Sequence, residues 1–509
     1  MSRPLRMGTA AAVVSGSVLL SRLLGLGREA LLASLIGVNV EGDLYRQAFT
    51  IPDLLNYLLA GAYLTITLIP ILSRHLEAGD TDGASRAFTS VFRFVAGGIL
   101  TLTALMWIFA DPLVGLAFPE VVAEHVRLVS LTRLVLPAQV FLVVGALLIA
   151  VQYAHRRFLL PALAPLVYNL GIIAGGLTGA LVGDPSPESF LVGAVAGSAV
   201  GNFGLQWFGA RRTGTWLVSP KGQSAVREYL VLALPLMIGQ SVAVLDEQFV
   251  RFFGQVEEGA TSALSFARQL NMVPVGVIAQ AAGVAAFPFL ARLAARGNNA
   301  ELVETTGRAA RRTLFVAAAA TALVVVLARP SVRLLYQYGE FTGSDADLVA
   351  RLLAIYAFSI PAWGLHQILV RHFYAKRRMW TPVVIGTVFT LAAVPVWLGL
   401  HAALGVEGFA LASTLVISGY AAAMLIAWGY DSGWEAVRQL APSLVRGLAA
   451  AAVAALVARP LVGALDGAGS GVLSAAVTLT VGGVTALAAF VGVSYLMGGA
   501  ELRDLTQRG

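Results

Sequence analysis

Near the N-terminus runs the apolar stretch AAAVVSGSVLLSRLLGLGREALLASLIG, residues 10–37. It is long enough to cross a bilayer as a helix, yet it carries Arg22, Arg28 and Glu29 near its middle. A charge at that depth costs about 2.5–3.5 kcal/mol on insertion scales and normally faces a protein interior or a watery cavity. Arg22 and Glu29 lie seven residues apart and share one stripe of the helix, whereas Arg28 is expected to point elsewhere. Two interpretations are open: a buried Arg–Glu pair that only holds helices together, or arginines that meet an anion inside the membrane.

The composition of the rest of the chain is that of a polytopic membrane protein. Only 12% of the 509 residues are charged and the mean hydropathy is +0.78, whereas soluble proteins carry about 25% charged residues. A membrane span needs about 20 apolar residues. Such segments are centred near residues 23, 58, 100, 138, 170, 198, 238, 276, 320, 360, 390, 417, 451 and 483. The sequence therefore predicts an all-α integral membrane protein with fourteen transmembrane helices.

Signatures of catalysis and of cofactors are missing from the sequence. There is no cysteine, and hence no disulfide or thiol chemistry. There is no G-x-x-x-x-G-K-[ST] phosphate loop and no H-E-x-x-H pattern. The segment MSRPLRMG before the first apolar stretch lacks a convincing cleavage site, so we interpret that stretch as a retained helix. We predict a protein that is not an enzyme and that has no metal site and no cofactor.

The acidic and the basic residues between the segments lie in alternate loops. The odd-numbered loops, at 37–43, 116–125, 183–189, 254–262, 339–348, 405–408 and 466–471, hold 13 Asp or Glu and no Lys or Arg. The basic residues, which include the clusters His155-Arg156-Arg157 and Lys376-Arg377-Arg378, lie on the even side. By the positive-inside rule, the even loops and both termini are predicted to be cytoplasmic. This topogenic role explains the net charge of +7 without a nucleic-acid partner.

The first twelve segments resemble two copies of a six-helix unit. The run Tyr153–Arg157, with Pro161 after it, matches Tyr374–Arg378, with Pro382 after it, at an offset of 221 residues. Further matches pair 110–112 with 328–330, Pro52 with Pro274 and Pro70 with Pro288, at offsets of 218, 222 and 218. An even number of helices per copy makes the repeats parallel, which places a transport path between the halves. We predict an N-lobe over 1–219, a C-lobe over 220–432 and an appendage of two helices over 433–509. Prolines in the second and eighth helices are expected to kink them.

Most polar residues at membrane depth come from the first two helices of each copy. A cavity that they lined would be cationic, and guanidinium groups suit phosphate and carboxylate. The arginines near helix ends, Arg46, Arg133, Arg251 and Arg371, are also expected to snorkel to the interface. The candidates from this pattern for contact with an anionic substrate are Arg22, Arg28, Arg46, Asn56, Arg251, Arg268 and Gln269.

Several stretches resemble one known family, the MurJ (MviN) lipid II flippases of the multidrug/oligosaccharidyl-lipid/polysaccharide (MOP) exporter superfamily. They are LSRLLGLGREALLASLIGVNVEGDLYRQAFTIPDLL (20–55), RRFLLPALAPLVYNLGIIAGG (156–176), 262–298, YQYGEFTGSDADLVARLLAIYAF (336–358) and FYAKRRMWTP (373–382). The family's S-R-x-L-G-x-x-R motif maps to residues 21–28, and its acidic residue after the first loop maps to Asp43, a further candidate site residue. The chain departs from the family pattern at Asn56, at Gly61, and at Arg268-Gln269, where the arginine stands one position early.

The resemblance implies that the chain moves lipid II, an undecaprenyl-pyrophosphate-linked peptidoglycan precursor, from the inner to the outer leaflet of the bacterial inner membrane. Alternating access through the cationic cavity is the expected mechanism, coupled to the membrane potential or to a monovalent cation. Cell-wall synthesis proteins are candidate partners. The alternatives are an exporter of another polyprenyl-linked oligosaccharide or an amphipathic drug, a membrane glycosyltransferase, and a non-transporting scaffold of cell-wall synthesis.

Overall fold

The computed structural model describes residues 7–58, 61–219, 225–238, 242–279, 285–467, 469 and 471–498. The regular structure over these ranges consists of helices, without a strand. The predicted all-α class is therefore confirmed.

Eight helical stretches of the described ranges are long and apolar enough to cross a membrane by themselves, and a bent pair, Gly343–Ala357 with Ile360–Ala375, makes up to nine. Two other predicted spans include residues outside the described ranges. Residues 59–60 lie between the helices Thr50–Leu58 and Gly61–Glu77 of the second span, and residues 280–284 lie between Ala260–Ala279 and Ala285–Ala295 of the eighth. Pro70 and Pro274 lie inside helices of these two spans. A membrane protein with several spans is thus established, while the number fourteen stays a prediction.

The chain divides into two compact units, of which the first comprises residues 1–240 and Tyr338–Phe341. This division does not test the predicted lobe boundaries, which remain predictions. The helices of the first unit are α1 Met7–Leu35, α2 Val40–Gln47, α3 Thr50–Leu58, α4 Gly61–Glu77, α5 Thr81–Ile108, α6 Ala110–Ala117, α7 His125–Ala154, α8 Leu159–Val182, α9 Pro187–Gly197, α10 Leu205–Arg211 and α11 Val226–Ile238. A π-helical stretch, Ser198–Gly204, joins α9 to α10. Its core is an apolar cluster between α4, α5 and α7 that includes the fully buried Leu68, Phe88 and Leu147.

The second unit comprises residues 241–337 and 342–509. Its helices are α12 Val242–Phe253, α13 Ala260–Ala279, α14 Ala285–Ala295, α15 Asn299–Tyr336, α16 Gly343–Ala357, α17 Ile360–Ala375, α18 Trp380–Leu404, α19 Val406–Ser432, α20 Trp434–Arg438, α21 Ala441–Gly467 and α22 Val472–Leu496. The 38 residues of α15 give a length of about 57 Å at 1.5 Å per residue. A hydrocarbon core is about 30 Å thick, so the polar first turns of α15 extend beyond it.

The last two long helices are fastened to α15 by a buried ion pair. Asp466, at the end of α21, accepts hydrogen bonds from Arg333 and, at 2.7 Å, from Arg329. Arg333 also donates to the carbonyl of Gly469 at 2.8 Å. The predicted appendage therefore contacts α15 in two ways. An ion pair joins Asp466, at the end of α21, to α15, and apolar contacts such as that of Phe315 with Phe490 follow along the helices.

The segment Tyr338–Phe341 packs on the C-terminal end of α1, within the first unit. The amide of Glu340 donates to the carbonyl of Ser34 at 3.0 Å. Gly339 has φ +55°, and a Cβ there would lie 2.1 Å from that same carbonyl oxygen. Only glycine fits both demands, which explains the glycine of the YQYGEF stretch.

Helices α8 and α9 pack main chain against main chain through a row of glycines. A Cβ at Gly175 would lie 2.3 Å from the carbonyl oxygen of Ser189, and a Cβ at Gly193 would lie 2.3 Å from that of Gly171. The spacing of four residues between Gly171 and Gly175, and between Gly193 and Gly197, is the small-residue pattern that lets membrane helices approach closely. This contact fixes α8, which carries a residue of the candidate site.

Substituting Gly193 by leucine is expected to destabilise the protein by about 1–3 kcal/mol, because an overpacked contact forces the two helices apart. The thermal stability of the detergent-solubilised protein, followed by size-exclusion chromatography after heating, measures this effect. Gly463→Leu is the matched control, since a Cβ at Gly463 meets no described atom within 4 Å. Equal stability of the two variants would contradict the close packing of α8 on α9.

Candidate functional site

The charged residues of α1 meet a third charge from α2. The carboxylate of Glu29 accepts a hydrogen bond from Arg28 Nη2 at 2.6 Å and another from Arg46 Nη2 at 2.9 Å. Only 4% of the Glu29 side chain is exposed, against 22% for Arg28 and 11% for Arg46. Two guanidinium groups thus share one carboxylate in a largely buried place.

An asparagine of α8 completes this cluster. Arg28 Nη1 donates to Asn169 Oδ1 at 3.2 Å. The Asn169 amide nitrogen in turn donates to the carbonyl of Pro165 at 2.9 Å, with Ser21 Oγ at 3.4 Å. These bonds hold the carbonyl oxygen of the amide toward Arg28. The guanidinium of Arg28 is thus oriented by groups from two helices.

The structure corrects the expected geometry of α1. Glu29 is bound by Arg28 and not by Arg22, although Arg22 shares its stripe. The reason is the length of the arginine side chain, whose flexible stem lets Arg28 reach the carboxylate of its sequence neighbour. Arg22 is exposed, and across the described ranges no residue forms an ion pair with it.

The remaining candidates of the first unit lie on α2 and α3. Asp43 is 6% exposed, on the buried side of α2, and Arg46 follows it by three residues on the same helix. Asn39 caps this helix, since its side-chain oxygen accepts a hydrogen bond from the amide of Gly42 at 3.1 Å. Asn56 is half-buried in the last turn of α3. The arrangement brings Arg28 and Arg46 together at one carboxylate.

The second unit contains a similar cluster. Glu247 of α12 accepts a hydrogen bond from Arg251 Nη2 at 2.5 Å and from Arg268 Nη1 of α13 at 3.3 Å. The side chains of Arg251 and Arg268 are 11% and 14% exposed, and that of Glu247 is 41% exposed. Here too, two guanidinium groups share one carboxylate. Gln269, the neighbour of Arg268, is half-buried and is not part of this ion-pair cluster.

Arg268 also lines a small cavity within the second unit, together with other polar and several apolar side chains. Its volume is about 20 Å³, which is room for about one water molecule. Asn271 and Ser413, 1% and 5% exposed, line it as well. Asn271 Oδ1 and Ser413 Oγ are buried and find no hydrogen-bond partner in the described part of the chain. A bound water would satisfy both atoms, and the cavity in this conformation is too small for a lipid headgroup.

Sequence reasoning missed how the two clusters correspond. Arg46 and Arg268 stand 222 residues apart and Glu29 and Glu247 stand 218 apart, the same offsets that relate the prolines of the predicted repeats. Extending the repeat comparison to charged residues would therefore have pointed to both clusters. No such signal existed for Asn169, because its role depends on the packing of α8 against α1.

The fold defines the class of protein first. A solved structure described as the lipid II flippase MurJ in an inward closed conformation matches with a TM-score of 0.77 over 97% of this chain and 100% of its own, at 20% identity. An inward-facing multidrug resistance MATE family transporter of the MOP superfamily matches with a TM-score of 0.64 over 85% of this chain and 98% of its own, at 15% identity. The chain thus has the fold of the MOP transporters.

Sequence comparison narrows this class to a family. The family model described as lipid II flippase MurJ matches residues 32–465. A probable lipid II flippase MurJ of Rhizobium meliloti is 28% identical over 96% of this chain and 94% of its own length. A lipid II flippase MurJ of Burkholderia cenocepacia is 28% identical over 73% of this chain and 74% of its own length. The chain belongs to the MurJ lipid II flippase family, which confirms the resemblance seen in the sequence and the prediction of a transporter and not an enzyme.

Proposed function

We propose that this protein is a flippase that moves lipid II from the inner to the outer leaflet of the bacterial inner membrane. Membership of the MurJ family supports the substrate. The observation that carries the proposal in this chain is the buried Glu29 carboxylate with Arg28 and Arg46 bound to it, since guanidinium groups gathered in this way suit the phosphates of the substrate.

The proposed mechanism is alternating access between the predicted lobes. The diphosphate of the headgroup pairs with Arg28, with Arg22 and Arg268 as further contacts, while the polyprenyl tail stays in the lipid. The other candidate contacts are Asp43, Arg46, Asn56, Arg251 and Gln269. Fourteen helices in two parallel repeats, with both termini in the cytoplasm, belong to this proposal.

The membrane potential is the proposed driving force. An interior-negative potential favours outward movement of an anion by about 2.3 kcal/mol per charge per 100 mV, so a nucleotide site is not required. Coupling to a monovalent cation is the second form of the proposal. In the described ranges, groups of three or more His, Asp or Glu side chains placed to hold a metal ion are not found.

Complementation of a flippase-depleted bacterium tests this function. The chain is expected to restore growth and the exposure of lipid II at the outer surface, measured with a lipid II-cleaving toxin or a surface label. Restored growth without lipid II exposure would favour a scaffold. Failure of both, with normal abundance in the membrane, would favour an exporter of another lipid-linked glycan, and reconstituted vesicles that elongate glycan chains would favour a glycosyltransferase.

A further inference from the structure

Two arginines have a backbone conformation that is rare for any residue but glycine. Arg156 has φ +56° and Arg377 has φ +58°, and no other non-glycine residue of the described chain has a positive φ. They stand 221 residues apart, at positions that the predicted duplication pairs. The left-handed conformation costs free energy for every L-residue with a Cβ, so the same cost is present twice.

The end of α7 shows how the first of these positions arises. After Ala154 the amide of Arg156 donates to the carbonyl of Tyr153 at 2.9 Å, and the amide of Arg157 donates to that of Gln152 at 2.8 Å. This pair of bonds is the usual helix ending in which glycine occupies the left-handed position. Arg156 stands in that glycine position.

The end of α17 repeats the pattern. After Ala375 the amide of Arg377 donates to the carbonyl of Tyr374 at 3.0 Å, and the amide of Arg378 donates to that of Phe373 at 2.8 Å. A glycine would satisfy both endings at a lower conformational cost. The backbone therefore gives no reason for an arginine at either position, and the reason has to lie in the side chain.

Three of the neighbouring basic side chains, His155, Lys376 and Arg378, have structural partners. Lys376 Nζ and Arg378 Nη1 bind the carboxylate of Asp431 at 2.6 and 2.7 Å. In the other loop His155 Nε2 contacts Thr215 Oγ1 at 2.8 Å. These contacts indicate that His155, Lys376 and Arg378 stabilise the loops.

The side chains of Arg156 and Arg377 are exposed and form no hydrogen bond or ion pair within the described parts of the chain. Both loops connect helices that are long and apolar enough to span a membrane, or part of the bent pair, so each guanidinium stands at the level of the lipid headgroups. Three residues further on, the first residues of α8 and α18, Leu159 and Trp380, are 55% and 64% exposed. Each loop thus presents a cation with a large apolar side chain beside it.

We propose that Arg156 and Arg377 each bind the phosphate of an anionic phospholipid of the surrounding membrane, such as phosphatidylglycerol. The guanidinium pairs with the phosphate, and Leu159 or Trp380 contacts the adjoining glycerol and acyl region. Bulk phospholipid is favoured over the transported substrate because each unit carries its own copy of the arrangement, with a single guanidinium in each. This inference stands apart from the proposed transport function.

The double variant Arg156→Gly/Arg377→Gly, in the full chain, tests it. Native mass spectrometry and thermal-shift titration with phosphatidylglycerol, and with phosphatidylcholine for comparison, are the measurements. Each arginine near an anionic surface contributes about fivefold in affinity, so we expect phosphatidylglycerol to bind about fivefold more weakly at each of the two sites. Without lipid, the glycine variant is expected to be as stable as the wild type or more so, because glycine fits the left-handed position. The variant Arg156→Lys/Arg377→Lys is expected to keep most of the binding.

Four results would overturn the proposal. One is unchanged phosphatidylglycerol binding by the glycine variant, and another is a glycine variant that is unstable before lipid is added. The third is an equal loss in Arg212→Gly, whose guanidinium lies 3.8 Å over the ring of Phe208, since that would reduce the effect to net charge. A glycine variant that keeps phosphatidylglycerol but loses a polyprenyl diphosphate would assign the arginines to the substrate and also overturn it.

Discussion

Replacing Arg28 by alanine is expected to abolish lipid II translocation while the protein stays at normal abundance. The reason is the two-to-one charge ratio at Glu29. Without Arg28, Glu29 keeps its 2.9 Å bond to Arg46, so no buried carboxylate is left unpaired. The phosphate of the substrate loses one of the guanidinium groups that would bind it. We expect at least a hundredfold loss of transport, about 2.7 kcal/mol in free energy.

Lipid II exposure at the outer surface, scored in flippase-depleted cells and normalised to the amount of protein in the membrane, measures this loss. Arg74→Ala is the matched control, because Arg74 is 61% exposed and its pair with Glu228 lies at the surface, where such pairs contribute little. Transport by Arg28→Ala at the rate of Arg74→Ala would remove Arg28 from the substrate path. The family assignment would survive that result, but the role of this cluster would not.

For Glu29→Gln, unlike Arg28→Ala, we expect the protein itself to be destabilised. This substitution keeps the size of the side chain but leaves Arg28 and Arg46 facing each other without a carboxylate in a buried site. Removing one partner of a buried ion pair costs about 3–5 kcal/mol. We therefore expect a large loss of stability and of abundance in the membrane.

Denaturation with sodium dodecyl sulfate in mixed micelles measures the stability of Glu29→Gln. Glu188→Gln serves as its control, since Glu188 also binds an arginine, Arg127, but is 43% exposed, and Arg127 keeps Glu41 as a second partner. A Glu29→Gln protein as stable as Glu188→Gln would show that the buried cluster tolerates two unbalanced guanidinium groups.

Sequence alone predicted the helical class and the importance of α1, because the lengths of the apolar segments and the charged residues within the first of them can be read directly from the sequence. It did not identify the partners of Glu29, since helical spacing describes where Cβ atoms point and not where a long arginine side chain ends. Arg46 was expected to snorkel from a helix end, but its guanidinium is held at 11% exposure by a carboxylate of the preceding helix. The contact of Arg28 with Asn169 depends on the position of α8, which is fixed by its glycine contacts with α9. No residue spacing in the sequence predicts that contact between α1 and α8.

The length of α15 offers a means of reading sidedness directly. Its first turns are polar, and Glu301 there is exposed, so this end reaches water on one side of the bilayer. The chain has no cysteine, and a thiol introduced at Glu301 would be unique. A membrane-impermeant maleimide applied to intact spheroplasts and then to inverted vesicles should label it only in the latter, and the orientation of the helices before and after it would follow from that one modification.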